Sequence, residues 1–262
     1  MHYKMSLLFF LAVGFAGGLF AQSLDEKKID QIQAQVSELQ CELKTLNQYL
    51  GMSESFLKYE QEFSSFLENA SYQVVDRESL VDEIQSSQVV LLADNHLSYH
   101  SQSHALGLLK TLSSPNLSLV IEWIDVSYQA EVNEYLAGKV TLVDLKTQIK
   151  FHEYWDFSWE SYKRVLKLAK DLSIEVRLVE NLKKTQDLRT RDQAILRKVK
   201  SIHESAENQQ VLVVYGTYHI LGKDHLFDLF KELGYKTTAI TSQATSPYMK
   251  ALYQFKDARF RL

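Results

Sequence analysis

Three histidines fall four residues apart in ADNHLSYHSQSH (residues 93–104), at His96, His100 and His104. That spacing puts side chains on one helix face, where imidazoles could converge on a metal ion or a haem iron. The apolar run SQVVLL just before them reads as a strand, however, so His96 stands at a strand end and only His100 and His104 fall in the following helix. A helix rises about 1.5 Å per residue, which carries His104 about 12 Å from His96. One ion cannot gather all three. His100 can reach the mouth of a site beginning at His96, whereas His104 is expected to be solvated or packed.

Four further runs resemble the one before His96. VVLLA (89–93), LSLVIEW (117–123), EVRLVEN (175–181), QVLVVYG (210–216) and YKTTAIT (235–241) are short, β-rich and continuously apolar. Such runs mark strands buried on both faces, and the helical patterns between them suit crossover connections. The expected fold is α/β, with a mostly parallel central sheet flanked by helices, a helical insert over roughly 124–174 and an N-terminal helical extension. In an open α/β sheet the ligand crevice lies at the carboxyl ends of the strands. There the first strand ends in Asp94 and His96, the second delivers Glu122, the third ends in Glu180 and Asn181, and the fourth runs into Gly216 to His219.

Asp94, His96, Glu122 and His219 together could hold a divalent metal with an open position for water, or serve as catalytic acid and base without one. Singly, each has a plainer reading: a helix cap, an ion-pair partner, a satisfied polar group. Their shared position makes the case for a site. A second dense stretch is FHEYWDFSWESY (151–162), which could wall a flat hydrophobic ligand. His152 or Tyr154 there could ligate haem iron, while the tryptophans read more simply as a satellite core.

The rest of the chain sets limits. It has 262 residues, 45% apolar and 24% charged, enough for one large domain and an accessory segment. A net charge of −4 without an extended basic run argues against nucleic-acid binding. No Gly-rich phosphate loop, G-x-S-x-G elbow or zinc-type Cys spacing occurs, which disfavours a nucleotide enzyme or a serine hydrolase.

Residues 1–21 combine one Lys, an apolar run from Leu7 to Phe20 and small residues ending at Ala21. This reads as an export signal, with the periplasm or cell envelope as destination. The run is short for a bilayer span, so membrane association would come only through an uncleaved signal. The single cysteine, Cys41, leaves no intramolecular disulfide and lies too far along for a lipid anchor. Within 24–70, apolar residues at Ile29, Ile32, Val36, Leu39, Leu43, Leu46 and Leu50 keep a 3-4 spacing. This is either a coiled-coil seam, favouring a parallel homodimer, or a helix packed on its own domain. Beyond Gly51, Phe56, Tyr59, Phe63 and Phe66 carry a second amphipathic seam. The α/β domain is expected over 72–262.

The order of these pieces resembles the ChaN-like family of haem-binding uptake proteins, within the Tiki and erythromycin-esterase-like superfamily. The likeness covers roughly residues 72–233. It is carried by YQVVDRESLVDEIQSSQVVLLADNH, LSLVIEW, EYLAGKVTLVDL, FHEYWDFSWESYKRVLKLAK, RTRDQAIL and VLVVYGTYH. The resemblance implies that His96 and His219 are the two motif histidines, Glu122 the strand-two glutamate, Tyr162 the insert tyrosine and Arg191 the basic residue of the later helix. Ala93-Asp94 stands where the family prefers Gly-Glu, which shortens the carboxylate by one methylene. The family's known activities imply two readings, and the N-terminal extension, which the family pattern does not supply, adds a third. The first is a haem- or metal-binding uptake protein with His96, His100, His152, Tyr154, Tyr162 and Arg191 around the ligand. The second is a metal-dependent hydrolase using Asp94, His96, Glu122 and His219. The third is a non-catalytic envelope scaffold dimerising through residues 25–50.

Overall fold

A computed structural model describes residues 8–9, 54–69, 76–96, 99–155, 157–182, 187–205 and 209–241. The coiled-coil seam of residues 25–50, most of the export signal, and the side chain of His100 lie outside the described residues.

The centre is an all-parallel sheet in the order β1-β6-β2-β5-β3-β4. Five strands form its body: β2 (Val89–Asp94), β3 (Leu117–Ile121), β4 (Glu175–Leu178), β5 (Gln210–Gly216) and β6 (Thr237–Thr241). A two-residue strand, β1 (Leu8–Phe9), pairs with the outer edge of β6. Alternate residues feed two cores, because successive strand side chains point to opposite faces. Val90, Leu92, Leu119, Ile121, Leu212 and Val214 enter one core. Val89, Leu91, Ala93, Val120, Val211, Val213 and Tyr215 enter the other.

Helices cover both faces, which explains why the strands read as unbroken apolar runs. On the first face lie α2 (Arg77–Ser86), α3 (Tyr99–Leu112) and α7 (Trp159–Asp171), through Ile84, Leu108 and Tyr162 among others. The insert holds a 3₁₀ turn (Val126–Tyr128), α4 (Gln129–Leu136), α5 (Leu142–Gln148) and α6 (Phe151–Tyr154) before α7. Local signals set several starts. Asp76 caps α2 by accepting from the Ser79 amide, and Thr141 with Asp144 forms a reciprocal capping box on α5. On the second face lie α1 (Glu54–Asn69), α8 (Leu188–Glu204), the single turn α9 (Thr217–Ile220) and α10 (Leu226–Glu232). Phe63 of α1 is buried in that core, so the end of the helical extension packs on the sheet domain.

Two strands stop earlier than their apolar runs. β3 ends at Ile121, and the next side chain, Glu122, takes the Gly216 amide. β4 ends at Leu178, beyond which Val126 N–H donates to the Glu180 carbonyl and draws the chain into the 3₁₀ turn. The register fixes the site: Asp94 lies opposite Gly216, and Ile121 opposite Val214. Asp94, Glu122 and Gly216 therefore emerge at one level, where β5 sits between β2 and β3.

Candidate functional site

Glu122 is the hub. It is buried, and its Oε2 accepts the Gly216 amide at 2.6 Å. Its Oε1 accepts from Arg191 Nη2 at 3.1 Å and lies 3.5 Å from His219 Nε2. His96 Nε2 stands 3.7 Å from Oε2. Burial alone would push the Glu122 carboxyl's pKa up, but His219, His96 and Arg191 hold it well below the usual carboxylate range. Arg191 also donates through Nε to Glu180 Oε1 at 3.2 Å. Burial opposes the guanidinium charge, yet Glu122 and Glu180 leave its pKa raised.

Gly216 sits against this hub so closely that a Cβ there would lie 3.0 Å from His96 Nε2 and 3.1 Å from Glu122 Oε2. The glycine is what lets a β5 amide reach the carboxylate.

His96 forms the outer layer. Its Nδ1 is 2.9 Å from Asp94 Oδ2, which also accepts from the Tyr162 hydroxyl at 3.0 Å. Asp94 Oδ1 accepts from Gln102 Nε2 at 2.6 Å. The His96 side chain is 21% exposed, with its ring 4.7 Å from Trp155 and 4.9 Å from Phe157. Burial works against its charge, but the Asp94 hydrogen bond and the Glu122 field win, so its pKa is raised. Burial and the Asp94 charge push the Tyr162 phenol far above its usual range, making it a fixed hydrogen-bond donor.

His219 forms the inner layer on α9. Its Nδ1 is 2.5 Å from Asp192 Oδ1, and Asp192 Oδ2 is 2.5 Å from His225 Nδ1. Desolvation would lower the His219 pKa, but Glu122 and Asp192 lift it to about 9. The imidazolium is held between two carboxylates. Chemically, the cluster offers a partly exposed imidazole, a desolvated carboxylate behind it and a charged imidazole deeper still. That arrangement suits proton donation or the holding of an oxygen-rich group at the mouth.

Of the residues picked out in the sequence, Asp94, His96, Glu122, His219, Tyr162 and Arg191 come together here. Among the described residues no group of three or more His, Cys, Asp or Glu side chains is arranged to hold a metal ion. The donor set explains why: both oxygens of Asp94 and of Glu122 already accept from neighbouring groups. The four side chains, as arranged, do not fit a divalent cation.

For haem the fit is confined to the rim. Both His96 ring nitrogens face carboxylates, the Tyr162 hydroxyl serves Asp94, and Arg191 is paired twice. His152 is exposed and Tyr154 half-buried, both on α6, whose next residue is Trp155 beside His96. Either could ligate iron, which haem would bring as the coordinating and redox centre. Phe151, Trp155 and Trp159 are buried in the core, as the plainer reading of the aromatic stretch has it. His104 is half-buried on α3.

Several participants had not been singled out. Asp192 lies on the apolar seam of α8, three residues before Ile195 and seven before Val199, so a buried acid at helical spacing was the available signal. Gln102 occupies the first turns of α3, and His225 follows α9 in a loop; no local pattern marks either one. Tyr128, whose ring lies 6.3 Å from that of Tyr154, was equally unmarked.

Residues 80–179 match the family model for haem-binding uptake proteins of the Tiki superfamily, ChaN. No curated protein matches the chain. Among solved structures, the chain is similar to ChaN of Campylobacter jejuni in a study of cofacial haem binding. Identity is 10%, coverage is 67% of this chain and 90% of that one, and the TM-score is 0.49. The type III effector HopBA1 is similar at 16% identity, over 62% of this chain and 80% of that one, with a TM-score of 0.43. The C-terminal region of the Pasteurella multocida toxin, described with a thiol-protease-like catalytic triad, is similar at 14% identity, over 74% of this chain and 28% of that one, with a TM-score of 0.49. The match to the ChaN-like haem-binding uptake family of the Tiki superfamily is to residues 80–179, which carry Asp94, His96, Glu122, His152, Tyr154 and Tyr162.

Proposed function

We propose that the chain is an exported haem-binding protein of the ChaN-like type, working in the periplasm or cell envelope in iron acquisition. The observation that carries this reading is the family match over residues 80–179, which contain the whole aromatic insert. What supports a place for the ligand is that α6, which carries exposed His152 and half-buried Tyr154, runs directly into Trp155, whose ring with that of Phe157 flanks His96. His152 or Tyr154 would supply the iron ligand, and the aromatic side chains would contact the porphyrin. Export rests on residues 1–21. Cleavage after Ala21 would also remove β1 and leave β6 as an outer strand.

The test is a haem titration of the mature protein followed by absorbance. A Soret shift that is saturable and is changed by His152→Ala or Tyr154→Phe supports the assignment. No shift, or a shift that both single variants and their combination leave unaltered, sinks it.

A second reading is hydrolysis by acid–base chemistry at Asp94, His96, Glu122 and His219. Its support is the Asp94–His96 contact at 2.9 Å with the imidazole partly exposed. The Asp94 hydrogen bond and the Glu122 charge raise the His96 pKa, which favours its proton-donating form. An esterase and peptidase screen, with and without Mn²⁺, would show turnover lost in His96→Ala if this reading holds. Absence of turnover in the unaltered protein rejects it.

A further inference from the structure

Behind Glu122 runs a second line of side chains that neither a haem contact nor a reacting centre requires. It starts on α1, the helix at the end of the N-terminal extension. Glu62 Oε2 lies 3.7 Å from His225 Nε2, and the Tyr59 ring stands edge-on to the same imidazole at 5.7 Å. His225 Nδ1 and His219 Nδ1 then meet opposite oxygens of Asp192, each at 2.5 Å. Asp192 is 0% exposed, His225 1% and His219 3%. His219 in turn faces Glu122 at 3.5 Å. With both imidazoles turning Nδ1 to one carboxylate, each Nδ1–H donates to Asp192, and each Nε2 is fixed outward, one toward Glu122 and one toward Glu62.

The chain is built around this geometry at both ends. Gly222 has φ +132°, and a Cβ on it would lie 2.8 Å from His225 Cδ2, so the turn delivering the imidazole has no room for a side chain. Glu62 is itself gripped by Arg189 Nη2, at 3.2 Å and 3.4 Å. Arg189 Nη1 also lies 3.8 Å from Asp224, two residues beyond Gly222. A buried carboxylate shared by two imidazoles is costly unless every partner is in place, so the arrangement has few alternatives.

We infer that Glu62, His225 and Asp192 are positioning residues for His219 and, through it, for the Glu122 hub, so that helix α1 is the outer support of the site. The inference goes beyond the proposed function, because it concerns the apoprotein and holds whichever ligand occupies the mouth. The extension supplies a carboxylate 3.7 Å from His225, which two hydrogen bonds through Asp192 join to His219, and its docking sets the ring orientation there.

The experiment uses the full mature chain labelled with ¹⁵N-histidine, without added ligand, and follows the imidazole ¹H and ¹⁵N resonances. Glu62→Gln should shift the resonances of both His225 and His219 while leaving His152 and His203 in place. Glu62→Asp should return them toward their original positions, and the exposed-site control Glu78→Gln should move none. If Glu62→Gln moves His225 alone, moves no histidine, or moves all of them, the inference fails, since those patterns mean local contact or general loosening. Should Glu62→Gln not fold, Arg189→Gln releases the same carboxylate without removing it. A shift at His225 and His219 then supports the inference, and unmoved resonances overturn it.

Discussion

At the residue scale, the centre depends on close approach and on charge balance. Gly216 is the clearest case, because its missing side chain admits both His96 and Glu122. Gly216→Ala must displace one of them, and overpacking of this kind typically costs about 1–3 kcal/mol. A urea titration should show a lower midpoint with an unchanged slope. Charge balance sets the pH dependence. The folded pKa of His219 is raised from 6.5 to about 9, so the stability it contributes is complete below 6.5 and is lost as pH climbs through 9. That displacement corresponds to roughly 3 kcal/mol. Glu122 is displaced the other way, so its contribution is present above pH 4.5 and is lost on acidification. Both describe one ion-paired cluster and are counted once. Thermal unfolding across pH is expected to show its highest midpoint between about 5 and 6.5, with Glu122→Gln flattening both limbs.

Asp94, His96, Glu122 and His219 were legible in the sequence because apolar strands announce their own ends, and a parallel sheet sends those ends to one edge. His225 and Glu62 were not, since each reaches the centre through tertiary packing that no local period encodes, and Asp192 left only the faint signal of an acid on the apolar seam of α8. Residue type alone does not decide the metal reading either. Residue types that can ligate an ion can equally satisfy one another, and only geometry separates the two.

At the scale of elements, the sheet's open side is instructive. β4 is an edge strand, and edge strands expose unpaired amides and carbonyls that invite other chains. Here the Gln129 side chain occupies that position: its Nε2 donates to the Val176 carbonyl at 2.9 Å, and its Oε1 accepts from the Leu178 amide at 2.8 Å. One side-chain amide from α4 imitates a neighbouring strand for two residues. Gln129→Ala should lower stability by about 1–2 kcal/mol and raise aggregation on heating, read by light scattering during a thermal ramp. The apolar runs predicted five strands and their order in sequence, and the long insert was expected to hold several helices. The insertion of β5 between β2 and β3 was not legible, because it is decided by which helix covers which face.

For the whole molecule, the helical extension has two parts. Residues 54–69 form α1 and lie on the sheet domain, while the 3-4 seam of residues 25–50 carries the proposed homodimer. Deletion of residues 24–52 should halve the particle mass in multi-angle light scattering if that seam dimerises the protein. An unchanged mass rejects the dimer. Among the described residues no helix is long and apolar enough to cross a membrane.

The strand order also has a kinetic side. β2 and β3 are one strand apart in the sheet, and each lacks a ladder partner on its inner side until residues 210–216 lie between them. Contacts between distant stretches of chain are entropically slow to form. The charged cluster is thus closed by the placing of β5, which brings Gly216 and His219 to Glu122 and sets Gly216 opposite Asp94. Without β5 the facing sides of the two central strands are bare edges, and an unfolded chain has its greatest risk of mispairing there.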